Sequence, residues 1–146
     1  MTEDFGLMLH VRNADDIAQY VRHCTIRGSA FWGVDFPMDA KNVRYPLVIY
    51  LYNPWRSGAV GEGVQAYGTV TRVTSGPKAV PAPSLDLVPA HLRQESHRTW
   101  FHFDQILNVN PSVSHTEFYT SKRERVLDVP KDMPVTLGPP YPLKRP

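Results

Sequence analysis

The sequence predicts a single domain of mixed α/β or β-barrel-like class. Three observations carry this: a short apolar strand leads into one amphipathic helix, several β-type segments follow, and the prolines gather outside the strand candidates. The 146 residues suit one domain with its own core, and 42% hydrophobic with 21% charged residues is ordinary globular usage. Of the 14 prolines, most fall in Pro77–Pro89 and Pro130–Pro146, which proline's missing N–H marks as loops or edges.

Leu7-Met8-Leu9-His10-Val11 is the first strand. Asn13 then suits a helix N-cap, and Asp15 and Asp16 suit the positive end of the helix dipole. Ile17, Tyr20, Val21 and Cys24 fall at i, i+3, i+4 and i+7, which predicts a helix over 14–24 with Cys24 on its apolar face. Arg27-Gly28-Ser29 breaks it. Ala30–Val34 is apolar and aromatic, a second strand. Pro46–Tyr52 is the strongest β segment in the chain, Asn53–Gly58 reads as a turn, and Val64–Val73 alternates as a strand with one face on a core. These two strands are expected to pair antiparallel. Residues 75–98 form an excursion, with a short helix expected around Ala90–His97. Thr99–Val109 returns to strand character, and Phe118-Tyr119 and Val135–Leu137 are shorter candidates.

Composition limits function. One cysteine excludes an intramolecular disulfide framework. The acidic start Met1-Thr2-Glu3-Asp4 is unlike a signal peptide, and no apolar run approaches the roughly 18 residues of a membrane span. A cytoplasmic location is expected. Net charge is +2, but residues 21–60 concentrate Arg22, Arg27, Lys41, Arg44 and Arg56 against two acids, so a local basic face is expected.

Catalytic motifs are missing: there is no phosphate-binding glycine loop, dinucleotide fingerprint or nucleophile elbow, and Gly61-Glu62-Gly63 reads as a turn. The six histidines lack metal-ligand spacing, so neither a metal nor another cofactor is expected, nor an enzyme. Aromatic residues interleaved with basic ones point instead to binding. Trp and Tyr faces stack on bases, and Arg56 beside Trp55 is placed to reach a phosphate.

The run Leu9-His10-Val11-Arg12-Asn13-Ala14-Asp15-Asp16, the helix, and Ala30-Phe31-Trp32-Gly33-Val34 resembles the opening of EVE domains and the related YTH domains of the PUA-like superfamily. Pro46–Tyr52 with Gly61–Val73 is similar to their next hairpin. Trp100–Ile106 and Met133-Pro134-Val135-Thr136 are similar to the closing YTH pattern. As an order of elements the likeness spans most of the chain. It implies an α+β fold, a PUA-like small mixed β-barrel flanked by helices over residues 1–138, with 139–146 as a proline-rich tail, and a pocket for a modified or flipped base of RNA or DNA. In that pocket Trp32, beside Gly33, would be the stacking wall, with Phe31 on the core side of the same strand. Asn13 would read a base edge, Tyr50 or Tyr52 would line the floor, and Trp55 would stack at the rim. Arg12, Lys41, Arg44 and Arg56 would contact phosphates. The chain departs from the YTH pattern in having no Trp, Tyr or Phe in residues 75–98 to complete a cage. A small-molecule or enzymatic pocket on the same fold and a protein-interaction module using Pro139-Pro140-Tyr141-Pro142 are the competing expectations.

Overall fold

A strand, a helix and a return strand open the chain, as the apolar spacing requires. The computed structural model describes residues 6–54, 62–120, 122–128 and 131–137. Strand β1 spans Gly6–His10, helix α1 Ala14–Arg27, β2 Ala30–Val34, β3 Leu47–Asn53, β4 Gly63–Pro81, β5 Ser96–Val113, β6 Phe118–Tyr119 and β7 Met133–Leu137. Short 3-10 turns occupy Ala40–Asn42, Leu85–Leu87, Ala90–Leu92 and His115–Glu117. The fold is α+β and dominated by sheet, with one α-helix among the described residues. The helix expected around Ala90–His97 is replaced by one 3-10 turn, after which β5 has begun by Ser96. Pro89 opens that turn and Trp100–Phe103 draws the following residues into a ladder, so sheet pairing overrides a weak local helix preference.

Helix α1 starts where Asn13 allows. The Asn13 Oδ1 accepts the Asp15 amide at 3.0 Å, which satisfies one of the otherwise orphaned first-turn donors. Ile17, Tyr20 and Cys24 are buried, so the apolar face is the one the spacing marked. Burial of each is worth on the order of 1.5–3 kcal/mol. The helix runs three residues beyond the expected end. It stops at Gly28, whose φ of 84° is left-handed and whose amide donates to the Cys24 carbonyl at 2.8 Å.

Two compact units emerge, each discontinuous in sequence: Met1–Ile17, Val48–Tyr67 and Asn108–Pro146 make one, Ala18–Leu47 and Gly68–Leu107 the other. Strands β4 and β5 contribute to both. In the first unit the strands neighbour in the order β4-β3-β1-β7-β6. β1 pairs with β3 in parallel, Leu7 opposite Ile49 and Leu9 opposite Leu51, and antiparallel with β7, Gly6 opposite Val135. Its core gathers Met8, Tyr52, Val64, Phe118, Val126 and Val135. The wholly buried Asn53 fixes the end of the parallel pair, its Nδ2 donating to the Val11 carbonyl at 2.8 Å and the Arg12 carbonyl at 3.2 Å.

The second unit has the order β2-β5-β4. β2 runs antiparallel to β5 with Phe31 opposite His102 and Gly33 opposite Trp100. Alternation along β2 sends Phe31 and Trp32 to opposite faces. Phe31 joins Val88 and Trp100, with Ala82, Leu87 and Leu92 from the excursion packed over them.

Candidate functional site

In the second unit, Trp32 is 9% exposed. Its ring lies 4.2 Å from that of Tyr20 on α1, and the Tyr20 hydroxyl donates to the Phe31 carbonyl at 2.7 Å. Phe31, expected on the core side, stacks on His102 with ring centroids 4.5 Å apart and planes 19° from parallel. His102 is half-buried, and its Nε2 is buried without a hydrogen-bond partner among the described residues.

Gly33 has a specific neighbour. A Cβ there would lie 2.3 Å from the His97 ring. That ring sits between two carboxylates, Nδ1 at 2.7 Å from Asp35 and Nε2 at 3.0 Å from Glu95, and meets Trp100 edge-on. The missing side chain of Gly33 is therefore the space that His97 occupies.

The loop after β2 is fastened along β4 and β5 by polar bonds. Met38 N–H donates to Ser75 Oγ at 3.1 Å, and Thr99 Oγ1 donates to the Phe36 carbonyl at 2.7 Å. The Val73 amide donates to the Tyr45 hydroxyl at 2.9 Å. Tyr45 remains 44% exposed, so its ring stays at the surface with its polar end anchored beside Arg72 and Thr74, both exposed. Lys41 and Arg44 are exposed on the same loop. This unit holds eight Lys and Arg against five Asp and Glu.

Asn13, Tyr50, Tyr52 and Arg12 lie in the first unit. Asn13 is exposed, with its Oδ1 engaged in the helix cap. Arg12 is exposed. Tyr50 meets Phe118 edge-on at 5.0 Å. Tyr52 is 1% exposed, and its hydroxyl donates to Glu62 Oε2 at 2.6 Å. His115 joins the same oxygen through Nδ1 at 3.2 Å and reaches the Leu127 carbonyl through Nε2 at 3.2 Å. Burial pushes the Glu62 carboxyl up, but hydrogen bonds from Tyr52, His115 and Ser114 outweigh it and hold the group below its usual range. Burial first, then the Glu62 carboxylate, raises the Tyr52 phenol far above its ordinary value.

The structure thus brings Trp32, Gly33, Lys41 and Arg44 into one unit and Arg12, Asn13, Tyr50 and Tyr52 into the other. Trp55 and Arg56 lie outside the described residues, as does the proline-rich tail. Sequence spacing missed the Tyr52–Glu62–His115 cluster, because its members are separated by 10 and 53 positions and follow no motif. Tyr45 stands among the aromatics between Trp32 and Trp55, but nothing in the spacing separates it from Tyr50 and Tyr52 as the exposed ring.

Among the described residues no group of three or more His, Cys, Asp or Glu side chains is arranged to hold a metal ion, and no helix is long and apolar enough to cross a membrane. No protein-family model matches the chain, and no curated protein and no solved structure matches it.

Proposed function

We propose that this chain binds nucleic acid, with the basic second unit supplying a stacking and phosphate-contacting surface. One observation carries the reading: the Val73 amide fixes the hydroxyl end of Tyr45 while 44% of that residue stays exposed. A ring held in this way has little freedom left to lose when a base stacks on it. Lys41 and Arg44 are exposed on the same loop and Arg72 is exposed next to Val73 on β4, and such cations bind phosphates by releasing counterions.

Trp32 fits the stacking role less well than Tyr45. A base stacking on its Tyr20 side would have to displace the Tyr20 ring, 4.2 Å away. The EVE-like reading keeps support from the element order and from the helix between the parallel strands β1 and β3. A PUA-like barrel, a modified or flipped base as ligand, and a cytoplasmic setting belong to that same proposal.

The test is fluorescence anisotropy with labelled single-stranded DNA and RNA from 50 to 200 mM salt. Stacking is worth about 1–3 kcal/mol per base, so Tyr45→Ala is expected to weaken binding roughly 5- to 150-fold. Tyr45→Phe, which keeps the ring, should retain most of it. Absence of salt-dependent binding at 50 mM, or full binding by a folded Tyr45→Ala protein, overturns the proposal.

A further inference from the structure

Residues 118–120 and 122–126 of the first unit form a small hairpin whose features point beyond a solvated turn. Its base is buried: Phe118 is fully buried, Val126 is 5% exposed, and the Val126 amide donates to the Phe118 carbonyl at 2.9 Å. His115 Nε2 adds a bond to the Leu127 carbonyl at 3.2 Å, just past the hairpin. The tip is closed by its own bonds. The Thr120 amide donates to the Glu124 carbonyl at 2.8 Å, and the Thr120 hydroxyl accepts the Lys122 and Glu124 amides at 3.2 and 3.3 Å. Arg123 sits at φ 62°, in the left-handed region.

On this closed frame stand three exposed cations within four residues, Lys122, Arg123 and Arg125, against Glu124. Arg125 is held in place: its guanidinium carbon lies 5.9 Å from the Tyr119 ring centroid, and its Nη2 donates to the Tyr119 hydroxyl at 3.5 Å. Contact with an aromatic ring fixes the fork while leaving other N–H groups to meet a phosphate.

We propose that this hairpin is a second phosphate-contacting element, in which Lys122 and Arg125 bind the backbone of a nucleic-acid strand. This rests on the nucleic-acid reading above. It assigns a role to residues in the unit that does not carry Tyr45. The ligand is a phosphodiester strand, because cations spaced along a turn on a rigid base suit a row of separate charges.

The experiment measures the salt dependence of binding to a labelled single-stranded oligonucleotide for the parent, Lys122→Ala/Arg125→Ala and Lys41→Ala/Arg72→Ala, each checked for an unchanged melting temperature. Loss of two contacts should lower the slope of log K against log salt by about 1.4, and weaken binding about 25-fold at 0.1 M salt with convergence towards 1 M. Arg125→Lys, which keeps the charge, should keep the parent slope. Lys122→Gln, which leaves the Tyr119 contact intact, should lower it by about 0.7. If the parent binds and the hairpin variants keep its slope, the hairpin proposal is wrong while the function stands. If the parent binds no oligonucleotide at 50 mM salt, the nucleic-acid reading itself falls. Hairpin-dependent binding to anionic lipid vesicles without oligonucleotide binding overturns both.

Discussion

Glu62 is the residue whose removal should reach furthest. Its Oε2 accepts from Tyr52 at 2.6 Å and lies 3.2 Å from His115 Nδ1. Glu62→Ala would leave the Tyr52 hydroxyl, on a residue only 1% exposed, with the longer 3.4 Å contact to His115 Nδ1 in place of its 2.6 Å bond. A buried donor deprived of its good acceptor costs about 1–3 kcal/mol. The His115 bond adds about 1 kcal/mol, reduced because the Glu62 side chain is 28% exposed. The sum, about 2–3 kcal/mol, corresponds to a fall in Tm of roughly 6–9 °C for a chain of this size. Thermal unfolding followed by circular dichroism reads it directly. In a double-mutant cycle, Tyr52→Phe should recover about 1 kcal/mol of the loss, since it removes the poorly satisfied hydroxyl. The pH dependence has a definite sign. A carboxyl held below its ordinary value of 4.5 stabilises the fold above that value, and the contribution is lost as pH falls through the lower folded value. The gap between parent and Glu62→Ala should therefore be full at pH 7 and narrow below pH 4.5. A Tm within 2 °C of the parent, strict additivity with Tyr52→Phe, or a gap indifferent to pH would refute this reasoning.

Three further outcomes follow from single sites. Gly33→Ala drives a Cβ into the His97 ring, whose own Cβ is 2.9 Å away, so the whole side chain must shift; a loss of about 1–3 kcal/mol is expected in denaturant unfolding, and an unchanged midpoint would contradict the packing. Asn53→Asp should destabilise more than Asn53→Ala, because it turns a donor to two backbone carbonyls into an acceptor facing them; equal midpoints would count against that. Cys24 is 3% exposed and burial pushes its thiol up to about 11; a thiol reagent at pH 8 should label the unfolded protein fully while leaving the native protein unreacted, and rapid native labelling would place the thiol elsewhere.

What the sequence could express was local. The Ile17–Tyr20–Cys24 face, the Asn13 cap and the Ala30–Val34 strand all follow from neighbours within a turn or two, and each appears where the spacing placed it. β4 and β5 are 19 and 18 residues long and run past their expected limits. Their extra length comes from partners far along the chain, as when Ser75 meets Thr99 at 2.8 Å. The parallel pairing of β1 with β3 was illegible for the same reason, since an apolar strand does not name its partner or direction. The candidate site divides similarly. Aromatic and basic residue types could be nominated, but which ring faces solvent depended on Tyr20 lying against Trp32 and on Val73 holding Tyr45.

The antiparallel pairing of β1 with β7 also governs how the first unit would respond to force. Gly6 lies opposite Val135, so the chain enters β1 and leaves β7 at the same end of the ladder. Tension between residues 6 and 137 would therefore load these bonds one after another, as a zip is opened. The parallel β1–β3 ladder, Leu7 to Ile49 through His10 to Tyr52, meets a pull between residues 6 and 53 differently. The two ends then lie at opposite ends of the pair, and its bonds share the load in shear. The same strand β1 would thus be weak towards one neighbour and strong towards the other.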